Sequence, residues 1–204
     1  MKKLNKIDEL FIQKIKAHCK EYGIKVDLRN TKYLILGKNV KCAGYFDHEN
    51  RKLVCAMNRP DSMQILVHEY AHFTQWVDQC KAWTNLGKDG KDSLTLLFDW
   101  LDGKNIRNIS RHVAICRDME LDNEKRSIKL IEKNKLNINI EDYTKRANAY
   151  VMFYNYMLIS RRWSKPSNSP YKNKRIIEVM SPKFNMQYKK PSKKLMNLYE
   201  SEGI

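Results

Sequence analysis

The sequence predicts an α+β fold: a small, mostly antiparallel sheet with a hairpin, packed on one helix and followed by further helices. Three observations predict it. Short apolar runs bounded by turn residues crowd residues 26–57. Apolar residues recur at helical spacing before that stretch and repeatedly after it. The chain has 204 residues, 42% apolar and 30% charged, enough to bury a core and too apolar for wholesale disorder.

The elements follow in order. Ile7, Leu10, Phe11, Ile15 and Cys19 form one stripe of a helix over about residues 6–22, with Gly23 as its stop. Val26–Leu28 and Tyr33–Leu36 read as short strands bounded by Asn30 and Gly37. Cys42–Phe46 and Leu53–Met57 flank the polar turn Asp47-His48-Glu49-Asn50, the pattern of a β-hairpin. Arg59-Pro60-Asp61-Ser62 ends the strand region, and Asp61 or Ser62 is placed to cap a helix running from about Met63 to Lys81. Its apolar residues, among them Leu66, Val67, Ala71 and Phe73, suit a buried helix.

After the polar, glycine-bearing stretch Thr84–Asp92, Leu94, Leu97, Phe98 and Leu101 make a short amphipathic helix of Ser93–Leu101. A longer helix spans Ile109–Lys133. Another covers Glu141–Arg161 and carries Tyr143, Tyr150, Tyr154 and Tyr156. Composition shifts after Trp163, where residues 164–169 read as a loop or linker. The organisation expected is one domain over residues 1–163, with a basic C-terminal extension, 164–204, packed on it.

Net charge is +16, from 39 basic and 23 acidic residues, and half of it lies in residues 161–204, with 11 basic and 3 acidic. Such a balance favours an acidic partner, nucleic acid or an acidic protein, and equally fits a Lys-rich solvated surface. The longest apolar stretches run only a few residues, so no membrane span is expected. Met1-Lys2-Lys3 is not followed by an apolar signal-peptide core. Five scattered cysteines without a Cys-x-x-Cys pair point to reduced thiols and a cytoplasmic setting.

The chemistry is concentrated in His68-Glu69-Tyr70-Ala71-His72, an HExxH motif on the expected buried helix. Residues i and i+4 share one helical face, so His68 and His72 can aim their imidazoles at one metal ion, and zinc suits two imidazoles plus a carboxylate. Glu69, one step round, is placed to act as general base toward an attacking water. A catalytic zinc needs a third protein ligand. No histidine follows at the HExxHxxGxxH spacing, and His112 is the only later histidine. The acidic stretch Asp118-Met119-Glu120-Leu121-Asp122-Asn123-Glu124 offers the better donors. Glu120 and Glu124 share a face there, Glu120 as ligand and Glu124 as hydrogen-bond partner of a ligand histidine. Asp118, Asp122 and His112 are the alternatives.

In these residues the chain resembles the gluzincin branch of the zincin metallopeptidases, in which HExxH is followed on a second helix by Glu-x-x-x-Asp or a close variant. His68, Glu69, His72 and Glu120 match, and Glu124 stands where the family often has Asp. The hairpin before the motif is similar to the minimal zincin core, whose edge strand holds an extended peptide. The resemblance covers about residues 32–131 and extends to short metallopeptidases of tailed viruses, which would place the chain in host cytoplasm. The distance from His72 to Glu120 is longer than in many gluzincins, and the Ser93–Leu101 helix fills it.

The resemblance implies a zinc metallopeptidase with Zn2+ on His68, His72 and Glu120, Glu69 as base, and a protein or peptide substrate. It also implies a donor to the developing oxyanion, for which Tyr150 is the choice and Tyr154 and His112 are alternatives. A second reading is a nucleic-acid-associated binding protein on the same scaffold. In it Lys189, Lys190, Lys193 and Lys194 would track phosphates while Tyr188 and Tyr199 stack on bases.

Overall fold

The computed structural model describes residues 4–36, 41–87 and 92–204. Gly37, expected to bound a strand, and residues 88–91 of the polar stretch lie outside the described residues, as do Met1–Lys3. The chain divides into two units, one of Met1–Gln79 with Arg126–Ile138, the other of Cys80–Lys125 with Asn139–Ile204.

In the first unit, helix α1 (Lys6–Glu21) starts where the Asn5 side chain accepts a hydrogen bond from Asp8 N at 2.8 Å. It buries Phe11, Ile12, Ile15 and Cys19. Gly23, with φ +69°, ends it in the left-handed conformation that favours glycine. Among the described residues, five strands follow: β1 (Lys25–Arg29), β2 (Leu34–Ile35), β3 (Lys41–Cys42), β4 (Gly44–Asp47) and β5 (Lys52–Ala56). Strands β4 and β5 form the expected antiparallel hairpin, from Gly44↔Cys55 to Asp47↔Lys52. Its turn is pinned by the Asp47 carboxylate, which accepts from Asn50 N at 2.9 Å and Asn50 Nδ2 at 2.8 Å.

The three-stranded sheet has the order β1-β5-β4, and β1 runs parallel to β5, so this sheet is mixed. The β2–β3 pair is antiparallel. Strand β5 lies in the middle and buries Leu53, Val54, Cys55 and Ala56 in succession, as a strand covered on both faces must.

Helix α2 (Ser62–Val77) carries the HExxH motif and packs on β4 and β5. Asp61 takes the cap position but makes no side-chain cap bond, because its carboxylate is paired with the Arg59 guanidinium. Ser62 is the first helical residue and is buried. The helix ends before the expected Lys81: Asp78 is its C-cap and Gln79 turns to φ +46°. On one side of α2, Tyr70 and Phe73 pack with His18 and Tyr22 of the α1 end, and the His18 Nδ1 lies 2.7 Å from Tyr70 Oη.

The second unit is helical. It contains α3 (Lys81–Thr84) and α4 (Ser93–Leu101), the latter capped by Asp92, which accepts from Leu94 N and Thr95 N. Of α5 (Ile109–Lys133), residues 109–125 belong here and 126–133 to the first unit. α6 (Ile140–Ser160) begins at an Asn139 cap and stops at Arg161, φ +48°. Two short helices, α7 (Lys174–Glu178) and α8 (Lys193–Ser201), follow.

The core of this unit gathers Leu97, Trp100, Val113, Cys116 and Phe153 with Ile176, Met196 and Tyr199 of the basic C-terminal segment. That segment is also tied to α6 by polar bonds. Asn148 Nδ2 donates to Ser181 O at 2.8 Å, Tyr188 Oη donates to Asn148 Oδ1 at 2.6 Å, and Tyr199 Oη donates to Ala149 O at 2.6 Å. Among the described residues, no helix is long and apolar enough to cross a membrane.

Candidate metal centre

Helical spacing puts His68, Glu69 and His72 on neighbouring positions of one α2 surface, with both histidines half-buried. The two imidazoles meet edge to face, ring centroids 4.7 Å apart, and their Nε2 atoms are 3.2 Å apart. The other nitrogen of His72, Nδ1, lies 2.9 Å from Oε1 of Gln75, which is wholly buried one turn further on. An amide oxygen only accepts, so His72 carries its proton on Nδ1 and keeps its Nε2 lone pair for a ligand. Sequence reasoning missed Gln75. Its signal was a polar residue three positions after a motif histidine, on the same helix.

Glu69 is 8% exposed and lies against Gly44 at the start of β4. Burial and the Glu69 charge push the Cys42 thiol up to about 11 and raise that of Cys55 as well. Both thiols therefore stay protonated near neutral pH and are poor metal ligands.

Helix α5 carries two buried carboxylates, Glu120 and Glu124. Its buried face is apolar at Val113 and Cys116 and polar at Glu120, Asn123, Glu124 and Ser127. Buried carboxylates in a row are costly unless they are hydrogen-bonded, ion-paired or metal-bound. Glu124 accepts from Tyr143 Oη at 2.7 Å and Tyr171 Oη at 3.3 Å. Tyr150 Oη donates to Glu120 Oε1 at 3.4 Å and lies 3.1 Å from Tyr154 Oη. Tyr150 stacks on Tyr171, ring centroids 4.5 Å apart. Burial, reinforced by the nearby carboxylates, holds the Tyr154 and Tyr171 phenols well above their usual range, so both remain neutral donors. Tyr171 follows the stretch expected as a loop, and nothing in its local pattern marks it.

The side chains of His68, His72 and Glu120 offer one ligand atom each, all within 4.8 Å of one another, and this group could hold a metal ion. Glu120 is 6% exposed. Among the described residues this is the one group of three such donors. The alternative third ligands are engaged elsewhere. Asp118 pairs with Arg117 at 2.7 Å, His112 Nδ1 lies 3.1 Å from Ser93 Oγ, and Asp122 Oδ2 lies 3.7 Å from Cys80 Sγ.

No protein-family model matches the chain, and neither curated proteins nor solved structures give a match.

Proposed function

We propose that this chain is a zinc-dependent peptide-bond hydrolase with a zincin-like arrangement of hairpin, HExxH helix and Glu-bearing helix. The observation that carries the reading is the gathering of His68, His72 and Glu120 around one point, with Glu69 next in sequence to the first of them. Two nitrogens bound to one tetrahedral zinc at about 2.05 Å stand about 3.3 Å apart. The two Nε2 atoms are 3.2 Å apart already. Zinc held there supplies a Lewis acid that polarises a carbonyl and favours ionisation of a water.

The chain's own residues do the rest. The Glu69 carboxylate takes a proton from the attacking water as its oxygen bonds to the carbonyl carbon, then gives that proton to the amine as the C–N bond breaks. The Tyr150 hydroxyl is the donor available to the developing oxyanion, since its Oη already lies near Glu120. Strand β4 pairs with β5 on one side only, and no described strand takes its other edge. An extended peptide added there by main-chain hydrogen bonds runs beside Glu69. Lys189, Lys190, Lys193 and Lys194 are exposed, a basic surface suited to an acidic partner. The nucleic-acid reading has less support, because Tyr199, one of its two stacking residues, is wholly buried.

The test is a peptide library incubated with the zinc-loaded protein and with Glu69→Gln, with products read by mass spectrometry and zinc content measured in parallel. Cleavage by the wild type, absent in a variant that keeps its metal, is expected. A Glu69→Gln protein as active as the wild type, or a zinc-loaded wild type that cleaves nothing, contradicts the proposal.

A further inference from the structure

We infer that Gly44 is a positioning residue for Glu69: its missing side chain is what lets the carboxylate lie where a general base is needed. The inference rests on the hydrolase reading and adds to it a residue on a different element.

A Cβ built on Gly44 would stand 2.8 Å from Glu69 Cγ, 2.8 Å from Ile65 Cγ2 and 3.1 Å from Glu69 Oε1. Real carbon atoms in contact rest at about 3.5–4.0 Å. Ile65 and Glu69 are one turn apart on α2, so the Gly44 backbone lies in the groove between their side chains. Gly44 has no positive φ among the backbone angles of the chain, so glycine is not required there by its conformation. Space is the requirement. Strand β4 is held at this depth by its ladder with β5, in which Gly44 pairs with the fully buried Cys55. The strand cannot easily retreat, so the flexible partner yields, and that partner is the Glu69 side chain.

The two contacts have different consequences. Pressure on Ile65 is a packing matter. Pressure on Glu69 moves a reacting group, and a displacement of about 1 Å at such a group can cost about a hundredfold in rate. Glu69 is not among the three metal donors, so its displacement leaves the metal in place.

The experiment compares the wild type, Gly44→Ala and Gly44→Ala/Ile65→Ala. It measures kcat and KM on one peptide cleaved by the wild type, zinc per chain, and the Glu69 position in crystals. The second variant trims the packing clash and leaves the clash with Glu69. The expected result is a fall in kcat of about 10- to 100-fold in both variants, with KM within about twofold, zinc retained and the carboxylate displaced. A kcat within twofold of wild type in Gly44→Ala, an unmoved Glu69 carboxylate, or recovery of kcat in the double variant overturns the inference. If the wild type itself cleaves nothing, the hydrolase reading fails, and the crystallographic position of Glu69 alone then decides whether Gly44 places it.

Discussion

His72 Nδ1 donates to Oε1 of Gln75 at 2.9 Å, and this bond decides which face of the imidazole is left for a ligand. With the proton fixed on Nδ1, the Nε2 lone pair turns toward Nε2 of His68. The ring loses rotational freedom before any ion arrives, because Gln75 is itself locked in the interior. Partners of this kind are worth roughly 10- to 100-fold in metal affinity. Gln75→Ala is therefore expected to weaken zinc binding by about that factor, measured by competition with a fluorescent chelator. An unchanged affinity would show that the ring needs no such support.

In the proposed hydrolysis Tyr150 serves as a donor or merely braces Glu120, and kinetics separate the two roles. Removal of one donor to a developing oxyanion costs about a hundredfold or more in kcat. Tyr150→Phe keeps the ring stacked on Tyr171 and removes only the hydroxyl. A kcat about a hundredfold lower with KM and zinc affinity unchanged is expected. Weaker zinc binding with kcat intact would assign Tyr150 to Glu120 alone.

Alkaline pH strains the first unit through Cys19 and Tyr70. Burial pushes the Cys19 thiol up to about 12 from 9.0, and burial with the Cys19 and Glu21 charges pushes the Tyr70 phenol up to about 12 from 10.0. Both pKa values are raised on folding, so the folded chain holds these protons more tightly than the unfolded one. Stability is then fully present below pH 9 and is lost as pH rises from 9 toward 12. Denaturant midpoints are expected to be level from pH 7 to 8.5 and to fall at pH 10 and above. The fall should be shallower in Cys19→Ala. A midpoint that rises with pH in this window would contradict the assignment.

The helices were the most legible part of the fold. Ser93–Leu101 and Ile109–Lys133 have the expected bounds, since their apolar spacing is long and each begins beside a polar stretch. The β4–β5 hairpin was legible because its partners are adjacent in sequence. The parallel pairing of β1 with β5 was not, because Lys25 and Lys52 are brought together by topology and no local pattern records it. In the site, HExxH sets the relative placement of His68, Glu69 and His72 through the 3.6-residue turn, so their shared helical surface was legible in the sequence.

Glu120 could be narrowed only to a run of acidic residues, and the fold selects among them by burial and proximity. Glu124 belongs to the same run and is also buried. The hydrogen bonds it accepts from Tyr143 and Tyr171 come from residues 19 and 47 positions away. Gly44 stood at the start of the hairpin, but its role depends on a strand-to-helix distance that sequence does not encode locally.

The most direct measurement of the central claim is the metal content of protein purified without chelators, read by elemental analysis beside His72→Ala and Glu120→Ala. The wild type is expected to carry about one zinc per chain and each variant to lose most of it. A wild type without bound metal, or variants that keep the full complement, would contradict the assignment of His68, His72 and Glu120 as a metal centre.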